Sequence, residues 1–388
     1  MIKQFVYKIY ADKKNANLGR LVNLHAHLYN FCIARHKRYH RLTGKHLNQY
    51  RLMKHIAKLK SVAGYEWLNE LPSQSAQDVI QRIEKGYSLF FVENKRGNKR
   101  IRPPSFRKSR RYKSFTLKQA GWKLVSDNRI RIVDRVYKFA LSRPIEGEIK
   151  TVSVKRDSVG DFWLHFACEI VIEPTIAATG ETAGMDWGLK TFLTLDDCSE
   201  IVSPAFFKTN ARAIRKANRA VSHKKRGSKS RRQAVKALAR VHRKTERQRT
   251  DWQWKTARGL IEQYDTIWIE DLNLTGMKAL WGRKVSDLAF ASFVQKLGYL
   301  AVSNEKSLCK RDRFLASSKT HYDCGYVNHA LTLADREWFC PQCGAVVKRD
   351  LNAAKMIKHG RAISWSGVIV RPEAILAYGV DPQESPSL

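Results

Sequence analysis

The chain has 388 residues, of which 43% are hydrophobic, and 72 Lys and Arg against 35 Asp and Glu give it a formal net charge of +37. The hydrophobic content excludes an intrinsically disordered chain, and the length allows two or three domains. The charge predicts a polyanionic partner, which we take to be nucleic acid, although a ribosome-associated or merely soluble basic protein would have the same balance.

The sequence gives no sign of a membrane or of an oxidising compartment. It contains no run of eighteen apolar residues, and its first residues lack the apolar segment of a signal peptide. Only three of the seven cysteines cluster, and an odd count is typical of reduced thiols with one metal site. We therefore expect no transmembrane span, no membrane partner and a cytoplasmic location.

The N-terminal part predicts a β domain that is interrupted by helices. FVYKIY alternates like a strand, and from about residue 17 to 94 apolar residues recur at the spacing of three or four helices. The strand-like stretches RIRIVD, YKFALS, TVSVKRD and WLHFACEIVIE follow. The pattern indicates a β domain over 1–16 and 95–178 with a helical insertion over 17–94.

A basic, proline-broken segment, GNKRIRPPSFRKSRRYKSFTL, separates the predicted helices from the strands. Cations that alternate with aromatic rings suit phosphate contact and base stacking together. The alternative is a basic loop that buries its own rings. The nucleic-acid contact candidates in this segment are Arg107, Arg110, Arg111 and Tyr112.

The second half of the chain predicts a mixed α/β domain. AGMDWGLKTFLTL reads as two short strands, residues 205–264 as a helical hairpin, and DTIWIEDLNL as a buried strand. Seventeen Lys or Arg and one acidic residue lie between Lys208 and Arg249. A solvated charged face is the alternative to nucleic-acid contact here. The candidates at the hairpin tip are Lys224, Lys225, Arg226, Arg231 and Arg232.

Three acidic residues end or begin regular elements. Asp186 follows AGM, Glu270 follows TIWI, and Asp350 opens a helix. Hydrolysis of a phosphodiester with two Mg²⁺ ions needs carboxylates that converge from different elements. The pattern alone is a weak basis for this site, because carboxylates at strand ends also serve as caps and salt-bridge partners.

The segment from His321 to Cys343 has the spacing H-x-x-C…C-x-x-C. Zinc binds imidazole nitrogen as well as thiolate, so His321, Cys324, Cys340 and Cys343 form a candidate Cys₃His zinc site in a ribbon over 317–346. The alternative is a partly degenerate ribbon that packing holds together.

Five motifs in order, GMDWGLKTFLTL, IEDLNLTGM, SSKTHYDCG, FCPQCG and KRDLNAAKMI, resemble the signature blocks of TnpB, the transposon-encoded relatives of compact type V CRISPR effector nucleases. The resemblance implies an α/β plus β protein. An RNase H-like (RuvC) nuclease domain over 179–316 and 347–360 would carry the inserted zinc ribbon. A wedge-type β-barrel with a helical recognition insertion would precede it, and 361–388 would be a weakly ordered tail.

The same resemblance implies an activity. It implies an RNA-guided, Mg²⁺-dependent DNA endonuclease of an insertion sequence, working as a monomeric ribonucleoprotein at the nucleoid of a prokaryotic cell. The guide RNA would come from the transposon end, and double-stranded DNA would be cut beside a short flanking motif. Asp186, Glu270 and Asp350 would hold two Mg²⁺ ions.

The chain departs from the family pattern in two places. His321 stands where the family usually has Cys, and YADKKNANL lacks the Pro and Gln that often follow the first strand. Two alternative functions stay open at this point. One is a transposase that acts directly on element ends, and the other is a nuclease-inactive, RNA-guided DNA-binding repressor.

Overall fold

The computed structural model describes residues 1–311, 318–332, 335–359 and 368–369. The chain divides into two compact units, Met1–Val171 and Ile172–Leu388. The predicted tail, 361–388, lies outside the described residues apart from two strand residues. Within the described part of the chain, no helix has the length and apolar character needed to cross a membrane.

The first unit is built on two antiparallel sheets. Their strands are β1 (Ile2–Lys8), β2 (Ser114–Leu117), β3 (Trp122–Ser126), β4 (Arg129–Ile132), β5 (Arg135–Lys138), β6 (Glu148–Arg156) and β7 (Phe162–Glu169). The strand orders are β1-β7-β6-β2 and β3-β4-β5, and a bridge between Ile9 and Phe139 links them. Inward-pointing aromatic side chains, among them Phe5, Tyr7, Phe139 and Phe166, fill the core.

Three helices lie in the chain between β1 and β2. They are α1 (Asn15–Thr43), α2 (Gln49–Leu59) and α3 (Ser73–Lys95). The long α1 ends where Gly44 adopts the left-handed conformation with φ 67°. Asn48 caps the N-terminus of α2, and its side chain accepts a hydrogen bond from the Tyr50 amide. This is the region where the sequence predicts a helical insertion. The finer domain boundaries stay predictions.

The second unit contains one large mixed sheet and one small hairpin. Its strands are β8 (Thr182–Trp187), β9 (Leu193–Leu195), β10 (Glu200–Ile201), β11 (Thr266–Glu270), β12 (Ser307–Arg311), β13 (Glu337–Phe339), β14 (Val346–Lys348) and β15 (Val368–Ile369). The large sheet has the order β10-β9-β8-β11-β12-β15, and β11 is parallel to both β8 and β12. Parallel neighbours deliver their C-terminal residues to one edge of the sheet.

The helices of the second unit are α4 (Phe206–Ser222), α5 (Lys229–Gln263), α6 (Leu274–Leu288), α7 (Phe290–Ser303) and α8 (Arg349–His359). The helical hairpin predicted within 205–264 consists of α4 and α5. Ala183, Met185, Ile267 and Ile269 point from one face of the sheet into a core that includes residues of α5 and α7. The opposite face is covered by α8, which packs against β8.

Candidate functional site

Two of the three predicted carboxylates come from neighbouring parallel strands. Asp186 lies next to the last residue of β8, and Glu270 ends β11. Met185 is opposite Ile269 in the register of the two strands, so Asp186 and Glu270 stand side by side at one edge of the sheet. Side chains two residues apart share a face of a strand, and Gly184, two residues before Asp186, faces α8.

The third carboxylate, Asp350, lies in the first turn of α8. Burial and then the charges of Glu270 and Asp350 raise the pKa of Asp186 to about 8. Burial also raises the pKa of Glu270, and the neighbouring charge of Asp271 adds to the effect. All three carboxylates are partly buried. The structure thus brings them together, and such a set of oxygen donors repels itself until a cation neutralises it.

Two arginines contact Asp350. Arg336 Nη1 lies 3.1 Å from Oδ1 and 2.9 Å from Oδ2 of Asp350, and Arg349 Nε lies 3.3 Å from Oδ1. Sequence reasoning missed Arg336. The C-x-x-C knuckle could have indicated it, because β13 and β14 pair on either side of the knuckle. The same register continues by one residue, where the Arg349 amide donates to the Arg336 carbonyl at 2.8 Å.

The four predicted zinc ligands form one cluster. The ligand atoms of His321, Cys324, Cys340 and Cys343 all lie within 4.8 Å of one another. His321 Nδ1 lies 3.1 Å from Cys324 Sγ and 3.4 Å from Cys343 Sγ, while Cys324 Sγ lies 3.5 Å from Cys340 Sγ. One nitrogen and three sulfurs at this spacing fit a tetrahedral metal ion.

The surroundings of the cluster favour metal binding by His321. Its other ring nitrogen, Nε2, lies 3.2 Å from Asp323 Oδ2, the arrangement in which a carboxylate orients a metal-binding imidazole. Burial raises the pKa of the Cys340 thiol, but hydrogen bonds from the backbone amides of Cys343 and Gln342, together with those from the thiols of Cys324 and Cys343, outweigh it and lower that pKa to about 6. The thiolate is the form that binds a metal.

The basic segment before β2 keeps three of its four candidates accessible. Arg107, Arg110 and Arg111 are exposed. Tyr112 was wrong as a stacking residue, because its side chain is only 4% exposed and its ring packs against Tyr29. In the sequence, an aromatic ring among cations fits both base stacking and a loop that buries its own rings. In the structure, the ring of Tyr112 is buried.

At the tip of the α4–α5 hairpin, Lys224, Lys225, Arg226 and Arg232 are exposed. Arg231 differs, because its Nη1 donates to the carbonyls of Val221 and Lys224 at 3.0 and 3.1 Å. Its guanidinium therefore helps to hold the C-terminal end of α4 in place, and its contact with nucleic acid stays a prediction.

Two family models match the chain. Residues 165–280 match a family described as "Probable transposase", and residues 290–357 match "Cas12f1-like, TNB domain". The first match covers β8 and β11 with Asp186 and Glu270, and the second covers Asp350 and the four candidate zinc ligands.

Curated relatives match over most of the chain. A "Putative RNA-guided DNA endonuclease" of Streptomyces pristinaespiralis is 29% identical over 96% of this chain and 92% of that protein. A "Putative RNA-guided DNA endonuclease InsQ" of Escherichia coli K12 is 22% identical over 89% of this chain and 88% of that protein. A "TnpB-like protein L79" of Acanthamoeba polyphaga mimivirus is 25% identical over 57% of this chain and 45% of that protein.

Among solved structures, the protein of a Cas12f1–sgRNA–target DNA complex aligns with a TM-score of 0.56 and 15% identity, over 90% of this chain and 83% of that one. This likeness concerns the fold and supports the predicted RuvC-like architecture. The wedge-type barrel and the zinc ribbon stay predictions. The chain is therefore similar to proteins named RNA-guided DNA endonuclease and TnpB-like, in agreement with the resemblance of its motifs to TnpB.

Proposed function

We propose that this protein is an RNA-guided, Mg²⁺-dependent DNA endonuclease of an insertion sequence. It would take a guide RNA from the transposon end and cut double-stranded DNA beside a short flanking motif. The observation that carries the proposal is the meeting of Asp186, Glu270 and Asp350 from three separate elements. The names of the two relatives that match over most of the chain support the same reaction.

In this proposal the three carboxylates hold two Mg²⁺ ions. Bound Mg²⁺ supplies an activated water and stabilises the leaving oxygen of the phosphodiester. Asp186 and Glu270 fix their oxygens from rigid neighbouring strands, and Asp350 supplies its oxygens from the first turn of α8. Arg336 and Arg349 orient the Asp350 carboxylate and place positive charge beside it, where an anionic scissile phosphate gains from their presence.

The cluster of His321, Cys324, Cys340 and Cys343 would bind zinc in a ribbon with a structural role. Four protein ligands leave no open position for substrate, as in structural zinc sites. Cys340 and Cys343 lie between β13 and β14, and α8 begins directly after β14. Zinc would therefore also stabilise the start of α8, where Asp350 lies.

The first unit and the α4–α5 hairpin would hold nucleic acid through phosphate contacts. We propose a wedge-type barrel for the strands of the first unit and a recognition role for its helices. The exposed cations of the basic segment and of the hairpin tip suit RNA and DNA backbones alike. In guided nucleases, base pairing reads the sequence while the protein holds the backbone.

The experiment needs the guide and the flanking motif together. The protein is co-expressed with the DNA that flanks its gene, the co-purifying RNA is sequenced, and the complex is challenged in Mg²⁺ with a target library that carries randomised flanks. The wild type should cut targets with one enriched flank. Asp186→Ala should bind RNA and DNA but not cut, while Asp134→Ala, in the exposed turn between β4 and β5, should cut like the wild type.

Each other outcome has a clear meaning. Absence of bound RNA and of an enriched flank overturns the proposal. Cleavage by Asp186→Ala in Mg²⁺ overturns the site assignment. Joining of element ends without a guide would identify the transposase alternative, and guided binding without cleavage by the wild type would identify the repressor.

A further inference from the structure

The C-terminal turn of α8 is held by contacts from three sides. Arg311 Nε donates to the Ile357 carbonyl at 2.7 Å, and its Nη2 donates to the Lys358 carbonyl at 2.8 Å. A Cβ atom on Gly184 would lie 2.2 Å from the Ala354 carbonyl oxygen, so helix and strand touch through their backbones. The third contact is an ion pair between Lys358 and Asp196.

Asp196 follows β9 and uses both of its carboxylate oxygens. Lys358 Nζ lies 2.7 Å from Oδ2, and the Gly184 amide donates to Oδ1 at 2.8 Å. The Asp196 amide in turn donates to the Gly184 carbonyl at 3.1 Å. The side chain of Asp196 is 12% exposed and that of Lys358 is 22% exposed, so solvent screens the pair less than it screens a surface pair. Asp196 therefore links α8 to the strand that carries Asp186.

The geometry of α8 transmits this contact to the carboxylate site. Asp350 and Lys358 lie in opposite end turns of the helix, about 12 Å apart at ~1.5 Å per residue. A tilt of about 5° about the Lys358 end would move the first turn by roughly 1 Å, which would shift the oxygens of Asp350 relative to those of Asp186 and Glu270. The end of α8 far from the site thus contributes to the position of Asp350.

We propose that Asp196 is a positioning residue, which through its ion pair with Lys358 holds α8 at the tilt that brings Asp350 to Asp186 and Glu270. This inference rests on the proposed function for the role of Asp350. It adds a fourth acidic residue to the working parts of the nuclease sheet. Asp196 itself would touch neither metal nor substrate.

The test uses a double-mutant cycle. Asp196→Asn keeps the shape and an acceptor for the Gly184 amide but loses the charge that faces Lys358. Lys358→Met keeps the aliphatic stem and removes the ammonium. Lys358→Arg retains a cation and should behave like the wild type. Glu146→Gln breaks an ion pair with Lys3 in the other unit and is the matched control.

Three measurements are made on the complete RNA complex. The first is the Mg²⁺ dependence of guided cleavage. Asp196→Asn and Lys358→Met should each raise the half-saturating Mg²⁺ concentration about tenfold, which is the lower end of the loss in metal affinity seen when residues that orient metal ligands are replaced. The rate at saturating Mg²⁺ should change by less than about threefold, and the double variant should be no worse than either single variant. The second is Mn²⁺ affinity by calorimetry, which should weaken by the same factor.

The third measurement needs no catalysis. Hydrogen exchange of the α8 amides should accelerate in both single variants and remain at the wild-type rate in Glu146→Gln. Unchanged exchange and unchanged metal affinity in Asp196→Asn and Lys358→Met overturn the positioning role. So does an additive double variant. A wild-type complex that never cuts would overturn the proposed function. Faster exchange and weaker Mn²⁺ binding in Asp196→Asn and Lys358→Met would still support the positioning role of Asp196.

Discussion

Gly184→Ala should damage the carboxylate site without touching a carboxylate. The new Cβ would lie 2.2 Å from the Ala354 carbonyl oxygen and 2.7 Å from the Lys358 backbone nitrogen. Both neighbours are backbone atoms of α8, so no side chain can rotate away. Because real Cβ–oxygen contacts need about 3.2 Å, the helix must move by roughly 1 Å, an overpacking that typically costs about 1–3 kcal/mol.

The displacement should appear in stability and in activity. For a unit of this size, each kcal/mol lost lowers Tm by about 2–4 °C. Since Asp350 moves with α8, guided cleavage should fall by about 100-fold at fixed Mg²⁺, the usual effect of a misplacement near 1 Å. Circular dichroism during heating and single-turnover cleavage with bound guide measure the two effects.

Gly259→Ala is the matched control. Gly259 lies inside α5, and a Cβ there would meet no heavy atom within 4 Å. Alanine in a helix interior is favoured over glycine by roughly 0.5–1 kcal/mol, so this variant should be slightly more stable and fully active. If Gly184→Ala melts and cuts like the wild type, the close approach of β8 and α8 does not determine the position of Asp350.

Two further predictions concern a buried cation and the metal cluster. Burial lowers the pKa of Lys296 from 10.5 to about 8, and between these values the unfolded chain holds a proton that the folded chain has lost. The stability of the wild type relative to Lys296→Met should therefore rise with pH across this window, by on the order of 3 kcal/mol in denaturant titrations. Parallel pH curves for the two proteins would contradict the assignment. His321→Ala should weaken zinc binding, measured in competition with a chromophoric chelator, because Nδ1 of His321 faces the thiols of Cys324 and Cys343. An unchanged affinity with one zinc per chain would remove His321 from the ligands.

The convergence of the candidate site could be predicted only in part from element ends, and the resemblance of the motifs supplied the rest. Apolar runs that stop at Asp186 and Glu270 predict parallel strands whose C-terminal ends meet, and parallel pairing brings their carboxylates side by side. The meeting of the four candidate zinc ligands could also be predicted, because two short ligand pairs need only one chain reversal to come together.

The contacts that tune the site could not be predicted from pattern. Asp196 and Lys358 are separated by 162 positions, and neither is unusual among the charged residues of the chain. Gly184 looks like any glycine in a strand until α8 is placed on it. Tyr112 and Arg231 show the same limit, since whether a ring or a guanidinium faces solvent depends on partners far away or across a turn.

The charges around the three carboxylates are unequal, so the strand side and the α8 side of the site differ in their need for a cation. Asp350 has Arg336 and Arg349 within 3.3 Å, whereas the carboxylate of Asp186 faces burial and two anions that raise its pKa to about 8. In a chain with a net charge of +37, cations were available for every carboxylate. Among the described residues, Asp350 has the direct ion pairs, whereas the charge of Arg349 offsets only part of the rise in the pKa of Asp186, so the demand for a cation is strongest between Asp186 and Glu270. The strands would then be the fixed side of the metal site. The position of α8, which Gly184 and Asp196 hold in place, would determine how tightly the cation binds.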